Sequence, residues 1–387
     1  MNVRILMVCV SIKMPGYEIA WGFWKENIFK LIMRILSALF LFVSHILTAQ
    51  QGRIDSLLAG YKDFSAVVLI AENGKPVYQK ASGYREFEPQ IRLQTSDIFE
   101  LASVSKQFTA MIIMMLQEKG KLNYDDSVGK YLDIPYKGIT IRNLLTHTSG
   151  LPDYQAIMDQ YWDKTKVAGN PECIEYLNKY TPPKRFEPGE KYEYSNTGYL
   201  LLASIAEKAS GEDFIRLCRK WIFRKLKMKS TDIRTLQEKK AMKNFAIGHM
   251  YVEERNKYVR ADSFPSSNYT IWLGNRKGPG RISSTAPDLL KWDKALYGEK
   301  LIRQSTLQEA FMPMKLNDGS LSDYGFGWSL RKDPAFGRIV SHNGDNPGYK
   351  TQIIRYIDKK KTLIVLNNNA YKDFNLIISQ LEEAMKN

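Results

Sequence analysis

The sequence predicts a mixed α/β fold of the α+β type, in which both ends of the chain form one antiparallel sheet flanked by helices, with an all-helical lobe inserted between them. Near the amino end, residues 65–70 and 75–83 are rich in strand-forming residues, and the pair Asn73-Gly74 between them is a strong hairpin signal. Near the other end, three further runs have strand character: 338–341, 349–356 and 362–367. Short turns within each group favour antiparallel pairing.

The middle of the chain is predicted to be helical. Residues 104–118 carry Phe108, Met111 and Leu116 at helical spacing and stop before Gly120. Other helices are predicted at 200–209, at 214–226, after a capping box formed by Thr285 and Asp288, and at about 374–385. The expected division is therefore a sheet lobe of about 54–98 and 278–387, and a helical lobe of about 99–277.

Residues 1–49 differ from the rest of the chain. Met33-Arg34 precedes an apolar run over 35–43, and a small residue, Ala49, lies just before Gln50. This pattern is typical of a cleaved secretory signal, with residues 1–32 as an over-extended start, and it predicts a mature protein of 50–387 in the periplasm or outside the cell. The alternative is an uncleaved segment that anchors the chain to the membrane.

Charge and composition exclude several functional classes. The 56 Lys and Arg outnumber the 41 Asp and Glu, but they are scattered and no nucleic-acid motif accompanies them. Four histidines and the cysteines Cys9, Cys173 and Cys218 match no metal pattern, so we expect neither metal nor cofactor. A bond between Cys173 and Cys218 is possible but not implied.

The first motif with catalytic chemistry is Ser103-Val104-Ser105-Lys106. A serine hydroxyl becomes a good nucleophile only when a base takes its proton. If Ser103 opens the helix, Lys106 lies one turn further on the same face, where burial would lower its pKa. The same spacing occurs at Ser127 and Ser329, but neither leads into a long apolar helix.

Two further motifs supply polar groups. In Tyr194-Ser195-Asn196, which follows a Pro-Gly turn, a tyrosine could move a proton if nearby cations lowered its pKa, and Asn196 could hold a lysine and a substrate amide. In His342-Asn343-Gly344, at the end of a predicted strand, the glycine would let a substrate backbone approach the strand edge. The tyrosine motif at 176–178 is interpreted as ordinary helix, and His147 as a hydrogen-bonded structural residue.

Taken in order, these motifs resemble the signature of the serine β-lactamase and penicillin-binding protein superfamily, on its class C-like branch. The segments 99–110, 141–152, 278–286 and 324–328 are also similar to that family, over roughly residues 54–385. The resemblance implies that Ser103 is acylated, that Lys106 and Tyr194 move protons, and that Asn196 orients lysine and substrate. It also implies an oxyanion hole formed by the N–H groups of Ser103 and Asp345.

The third motif departs from the family pattern, because His342 stands where a lysine is usual. A histidine is charged only part of the time near neutral pH, so strong penicillin hydrolysis is not expected. Together with the predicted export signal, the resemblance therefore implies an exported, monomeric serine acyl-hydrolase. It would act on an ester, an amide or peptide, or a β-lactam, with cell-envelope peptides among the candidate substrates. Two alternatives remain: an acyl trap that deacylates slowly, and a non-catalytic module that binds envelope peptides.

Overall fold

The protein is described by a computed structural model, which covers residues 50–386 together with Leu31 and Met33. The predicted signal segment lies outside these residues, apart from those two positions. The chain divides into two units, residues 1–56 and 57–387, and the site described below belongs to the second. No helix of the described part of the chain is long and apolar enough to cross a membrane.

The main sheet has six strands: β1 (Ala66–Glu72), β2 (Lys75–Ser82), β10 (Ser329–Asp333), β11 (Gly337–Asn346), β12 (Tyr349–Tyr356) and β13 (Lys361–Asn367). All neighbours pair antiparallel, in the order β10-β11-β12-β13-β1-β2. The two chain ends meet where β1 pairs with β13, with Ala66 opposite Asn367. This pairing confirms the predicted fold class.

Shorter strands lie outside the main sheet. They are β3 (Tyr84–Glu86), β4 (Ile91–Arg92), β5 (Phe99–Glu100), β6 (Asp232–Ile233), β7 (His249–Val252), β8 (Lys257–Arg260) and β9 (Ile282–Ser284). Strand β9 pairs with both β5 and β6, and so brings residues just before the first motif next to residues almost 200 positions later.

Helices fill the region between the two sheet-forming ends. They are α1 (50–59), α2 (Lys106–Glu118), α3 (Ile141–Leu145), α4 (Tyr154–Tyr161), α5 (Asn170–Tyr180), α6 (Asn196–Ser210), α7 (Phe214–Leu217), α8 (Leu236–Ala241), α9 (Tyr269–Trp272), α10 (Ala286–Ala295), α11 (Gln304–Ala310) and α12 (Phe374–Ala384). The helix expected over 214–226 is interrupted, because α7 continues into a π-helical turn at Cys218–Phe223.

Helix α2 is the central helix of the core. Every residue from Lys106 to Leu116 is buried, and a helix that is buried all round lies inside a protein rather than on its surface. The first turn before it, Ala102–Ser105, is a 3₁₀-helix, so the predicted single helix over 104–118 begins in a tighter geometry. Lys106 is therefore the first residue of a helix that water does not reach.

One local prediction was only partly right, and one open question is answered. Thr285 caps α10 by accepting from the Asp288 N–H, but the Asp288 carboxylate accepts from Ser230 and Thr231 instead of closing a capping box. Cys173 and Cys218 are both buried free thiols, so the possible disulfide is not present.

Candidate active site

The nucleophile candidate, Ser103, lies in the 3₁₀ turn between β5 and α2. The residue before it, Ala102, has φ 48°, a left-handed conformation that a non-glycine residue rarely adopts. Strained backbone of this kind concentrates at functional sites, where the surrounding structure holds it in place. The turn is held by Val104 N–H, which donates to Leu101 O at 3.2 Å.

Lys106 has three polar neighbours. Its Nζ lies 3.1 Å from Ser103 Oγ, 2.8 Å from Asn196 Oδ1 and 2.9 Å from the carbonyl oxygen of Pro279. The amide and carbonyl oxygens can only accept. A neutral amine has two N–H donors and one lone pair, so donation to these two oxygens leaves the lone pair for the Ser103 hydroxyl.

The protonation state of Lys106 follows from its burial. Burial lowers the pKa of Lys106 well below its ordinary value, and the nearby positive charge of Arg276 lowers it further. The side chain has no accessible surface. These effects favour the neutral amine, and the three oxygens around Nζ can accommodate it.

Tyr194 also contacts the Ser103 hydroxyl. Its phenol is in hydrogen-bonding contact with Ser103, and Lys106 Nζ lies 4.7 Å from the centre of its ring. The condition set for this tyrosine, a pKa lowered by nearby cations, is not met. Burial of the hydroxyl end raises that pKa, although the residue as a whole is 40% exposed. Tyr194 is therefore a protonated phenol that can donate or relay a proton.

Asn196 is placed by the start of α6. Ser195 is the N-cap of this helix and accepts from the Gly198 N–H, so Asn196 is the first helical residue and faces Lys106. The Ser195 N–H donates to His147 Nδ1 at 3.0 Å. His147 is completely buried, as expected of a structural residue, and its ring lies 4.4 Å from that of Tyr194.

His342 does not face the nucleophile as an open cationic group. Its Nδ1 lies 2.6 Å from the carbonyl oxygen of Asn343, which can only accept, so Nδ1 carries the proton. Its Nε2 therefore accepts from the hydroxyl of Tyr324 at 2.8 Å. Burial lowers the pKa of His342 to about 3. The expected partial charge near neutral pH is wrong for this histidine, and both its nitrogens are used within the protein.

Gly344 and Asp345 lie where β11 passes the nucleophile turn. A Cβ at Gly344 would be 2.3 Å from Leu101 O and 2.2 Å from Thr351 Oγ1. The glycine is thus needed for β11 to pack against the turn, which is a different reason from the predicted approach of substrate. Asp345 follows it on β11, beyond the part of that strand which β10 covers, and burial raises the pKa of its carboxyl group.

Two contributors to the site were not predicted. The Pro279 carbonyl, 173 residues from Lys106, fixes one N–H of the lysine, and the Tyr324 hydroxyl donates to Nε2 of His342. Both lie in segments that resemble the family, but neither the type of residue nor its spacing indicates such a contact.

The serine and tyrosine motifs that were interpreted as non-catalytic lie outside this site. Ser127 caps the short 3₁₀ turn Val128–Lys130, and Lys130 forms an ion pair with Asp126. Ser329 begins β10, and Tyr176 lies within α5. In the described residues no group of three or more His, Cys, Asp or Glu side chains could hold a metal ion.

A buried lysine and a tyrosine that both contact one serine, on an antiparallel sheet with a helical insertion, define a serine hydrolase. The chain belongs to the Beta-lactamase family, whose model matches residues 52–383.

The relatives agree with this classification. The chain is 44% identical to Penicillin-binding protein 4* of Bacillus subtilis, over 79% of this chain and 68% of that protein. It is 24% identical to a D-aminopeptidase of Gluconobacter oxydans, over 82% of this chain but only 58% of the relative. Among solved structures, the octameric penicillin-binding protein homologue from Pyrococcus abyssi is similar, with a TM-score of 0.74 and 26% identity over 87% of this chain and 77% of that one.

Proposed function

We propose that the protein is an exported serine acyl-hydrolase that forms a covalent acyl-enzyme on Ser103. One observation carries this proposal: Lys106 Nζ lies 3.1 Å from Ser103 Oγ, while Asn196 Oδ1 and Pro279 O accept its two N–H groups. A neutral amine with its lone pair directed at a serine hydroxyl is the arrangement that general-base activation needs.

In the acylation step, Lys106 takes the proton of Ser103 as Oγ attacks the substrate carbonyl. The N–H groups of Ser103 and Asp345 are the proposed donors to the oxyanion. Tyr194, a protonated phenol, donates to the leaving group and is re-protonated from the Lys106 ammonium. Both residues then return to their starting states, and the acyl group remains on Ser103.

In the deacylation step, water replaces the leaving group. Its proton passes through the Tyr194 hydroxyl to Lys106 as the water oxygen attacks the ester carbonyl. Proton return from Lys106 to Ser103 Oγ then releases the acid. Each step uses side chains and water alone.

The charge and hydrogen bonds of His342 indicate which class of substrate is preferred. A neutral, buried imidazole with both nitrogens occupied provides no cation for the carboxylate of a penicillin. We therefore propose esters and amides, including peptides that carry a D-amino acid, ahead of β-lactams. The D-aminopeptidase relative supports the amide, and the penicillin-binding relative keeps the acyl trap as the second candidate.

The test uses the chain from Gln50 beside a Ser103→Ala variant. Both are incubated with p-nitrophenyl butyrate, D-alanine p-nitroanilide and nitrocefin, and intact mass is recorded in parallel. Turnover that is lost in the variant is the expected result. A stable adduct on Ser103 without turnover identifies the acyl trap, whereas no turnover and no adduct with any donor favours the binding module.

Export is a separate proposal that rests on the pattern of residues 33–49. Fusion of residues 33–60 to a reporter enzyme active only outside the cytoplasm tests it, with Leu39→Arg as a control that interrupts the apolar run. Reporter activity that does not depend on Leu39 contradicts it.

A further inference from the structure

Two buried arginines flank the carbonyl that binds the catalytic lysine candidate. Arg276 is 7% exposed and Arg281 is 6% exposed, and they lie three residues before and two residues after Pro279. The loop between them is fixed to the core, because Thr109 Oγ1 donates to Gly278 O at 2.8 Å and Lys106 donates to Pro279 O. The loop therefore holds both arginines in fixed positions relative to Ser103.

Among the described residues, neither arginine forms an ion pair within 4 Å, although Glu100 is near enough to Arg281 to favour its charged form. Arg276 contacts the hydroxyl of Tyr154 at 3.4 Å, and Arg281 donates to the carbonyl oxygen of Arg234 at 2.9 Å. Within the part of the chain that the structure describes, the Nε of each is buried without a partner. Burying a charge without a counter-ion costs free energy. Proteins therefore retain such a charge mainly where a bound ligand supplies the opposite charge.

The backbone at Arg281 gives an independent indication. Its φ is 81°, in the left-handed region where glycine is the usual residue. A long cationic side chain there strains the backbone, and strain of this kind persists at ligand sites where the surroundings compensate it.

Both side chains line one cavity of about 90 Å³, which holds about three waters or one small anionic group. The Asn346–Tyr349 hairpin, directly after Asp345, closes one side of it. Five basic side chains line the cavity against two acidic ones, Glu100 and Asp262. Lys239 neutralises Glu100 by direct contact, so the cavity is net cationic.

We propose that Arg276 and Arg281 form an anion subsite that holds a carboxylate or phosphate group of the acyl substrate. This inference rests on the proposed function, since it assigns a substrate class to the same site. Paired guanidinium groups match the oxygens of these two anions. The preferred substrate is thus an ester or amide whose acyl part carries a second, negatively charged group.

The structure offers a clean variant and a matched control. Arg281→Gly removes the cation at a backbone angle that glycine adopts without strain, so folding should be preserved. Lys227→Gly removes one positive charge at a position with φ 57° that does not line the cavity. Thermal unfolding of both variants verifies that each is folded.

The kinetic experiment compares p-nitrophenyl butyrate with mono-p-nitrophenyl succinate, which adds a carboxylate to a chain of similar length. We expect the ratio of kcat/KM, succinate ester over butyrate ester, to fall at least about tenfold in Arg281→Gly, as loss of a charge-assisted hydrogen bond predicts. Lys227→Gly should keep the ratio of the unaltered protein. An unchanged ratio in Arg281→Gly, or an equal fall in both variants, overturns the subsite.

Calorimetric titration with succinate and, separately, inorganic phosphate tests binding without catalysis and distinguishes the two anions. Binding that weakens at least about tenfold in Arg281→Gly alone supports the subsite even if neither ester is hydrolysed, in which case only the proposed function fails. If neither ester is hydrolysed, equal binding by all three proteins, or no binding to the unaltered protein, overturns the subsite.

Discussion

The hydroxyl of Tyr324 donates to His342 Nε2 at 2.8 Å, and this contact defines the third motif of the site. Because Asn343 O fixes the proton on Nδ1, the phenol satisfies the remaining nitrogen of a buried, neutral ring. The position that elsewhere in the family is expected to carry a lysine is here a fixed hydrogen-bond acceptor inside the protein.

Replacing Tyr324 by phenylalanine should destabilise the protein by about 1–3 kcal/mol, because Nε2 becomes a buried acceptor without a donor. The free energy of unfolding in urea measures the effect. Tyr124→Phe is the matched control. The Tyr124 hydroxyl is buried with no hydrogen-bond partner among the described residues, so its removal should cost little. Equal losses in the two variants would contradict the assigned contact.

Acid should weaken the protein through His342. Its folded pKa, about 3, lies below the unfolded value of about 6.5, so the unfolded chain binds the proton first. Stability is then lost as pH falls from about 6.5 towards 3, by about 3 kcal/mol between pH 7 and pH 4. His147, whose pKa burial also lowers, acts in the same direction.

Urea unfolding of the unaltered protein and of His342→Asn, each at pH 7 and pH 4, isolates this contribution. The variant should lose less stability on acidification, since asparagine does not titrate. The same loss in both proteins would show that other groups dominate.

Gly344→Ala should destabilise the protein by about 1–3 kcal/mol, because the new Cβ would overlap the backbone at Leu101 and the Thr351 hydroxyl. Activity should fall as well, since relief of the overlap moves the turn that holds Ser103. Gly298→Ala, where a Cβ meets no atom within 4 Å, is the control and should change both quantities little. Retention of full activity by Gly344→Ala would indicate that β11 can shift without moving Ser103.

Arg276→Met should raise the pKa of Lys106, because it removes a positive charge that disfavours the ammonium form. Lys106 acts as a base only when neutral, so the acid limb of kcat/KM for p-nitrophenyl butyrate should move to higher pH. Burial, the larger cause, remains in the variant. Lys227→Met, which removes a cation outside the cavity, should leave the limb in place. An unmoved limb in Arg276→Met would show that this charge does not reach the lysine.

Several features of the site could be read from local sequence. The apolar residues of 104–118 predicted a helix that could bury Lys106, and the three-residue spacing placed Ser103 within reach of its amine. The strand-forming runs at both ends predicted the sheet, although the 3₁₀ turn before α2 and the π-helical turn after α7 were not anticipated. Whether a helical turn tightens to 3₁₀ geometry or widens to π geometry depends on the elements packed around it. The residues of the turn carry no pattern that predicts it.

The sequence by itself determined the fold class, the family and the identity of the residues that surround Ser103, because periodicity and motif spacing are local properties of the chain. Tertiary structure alone decided their chemical states. The neutral forms of Lys106 and His342, and the protonated phenol of Tyr194, follow from burial and from partners such as Pro279 and Tyr324. Desolvation depends on everything that packs around a group, and the sequence does not specify that until the chain has folded.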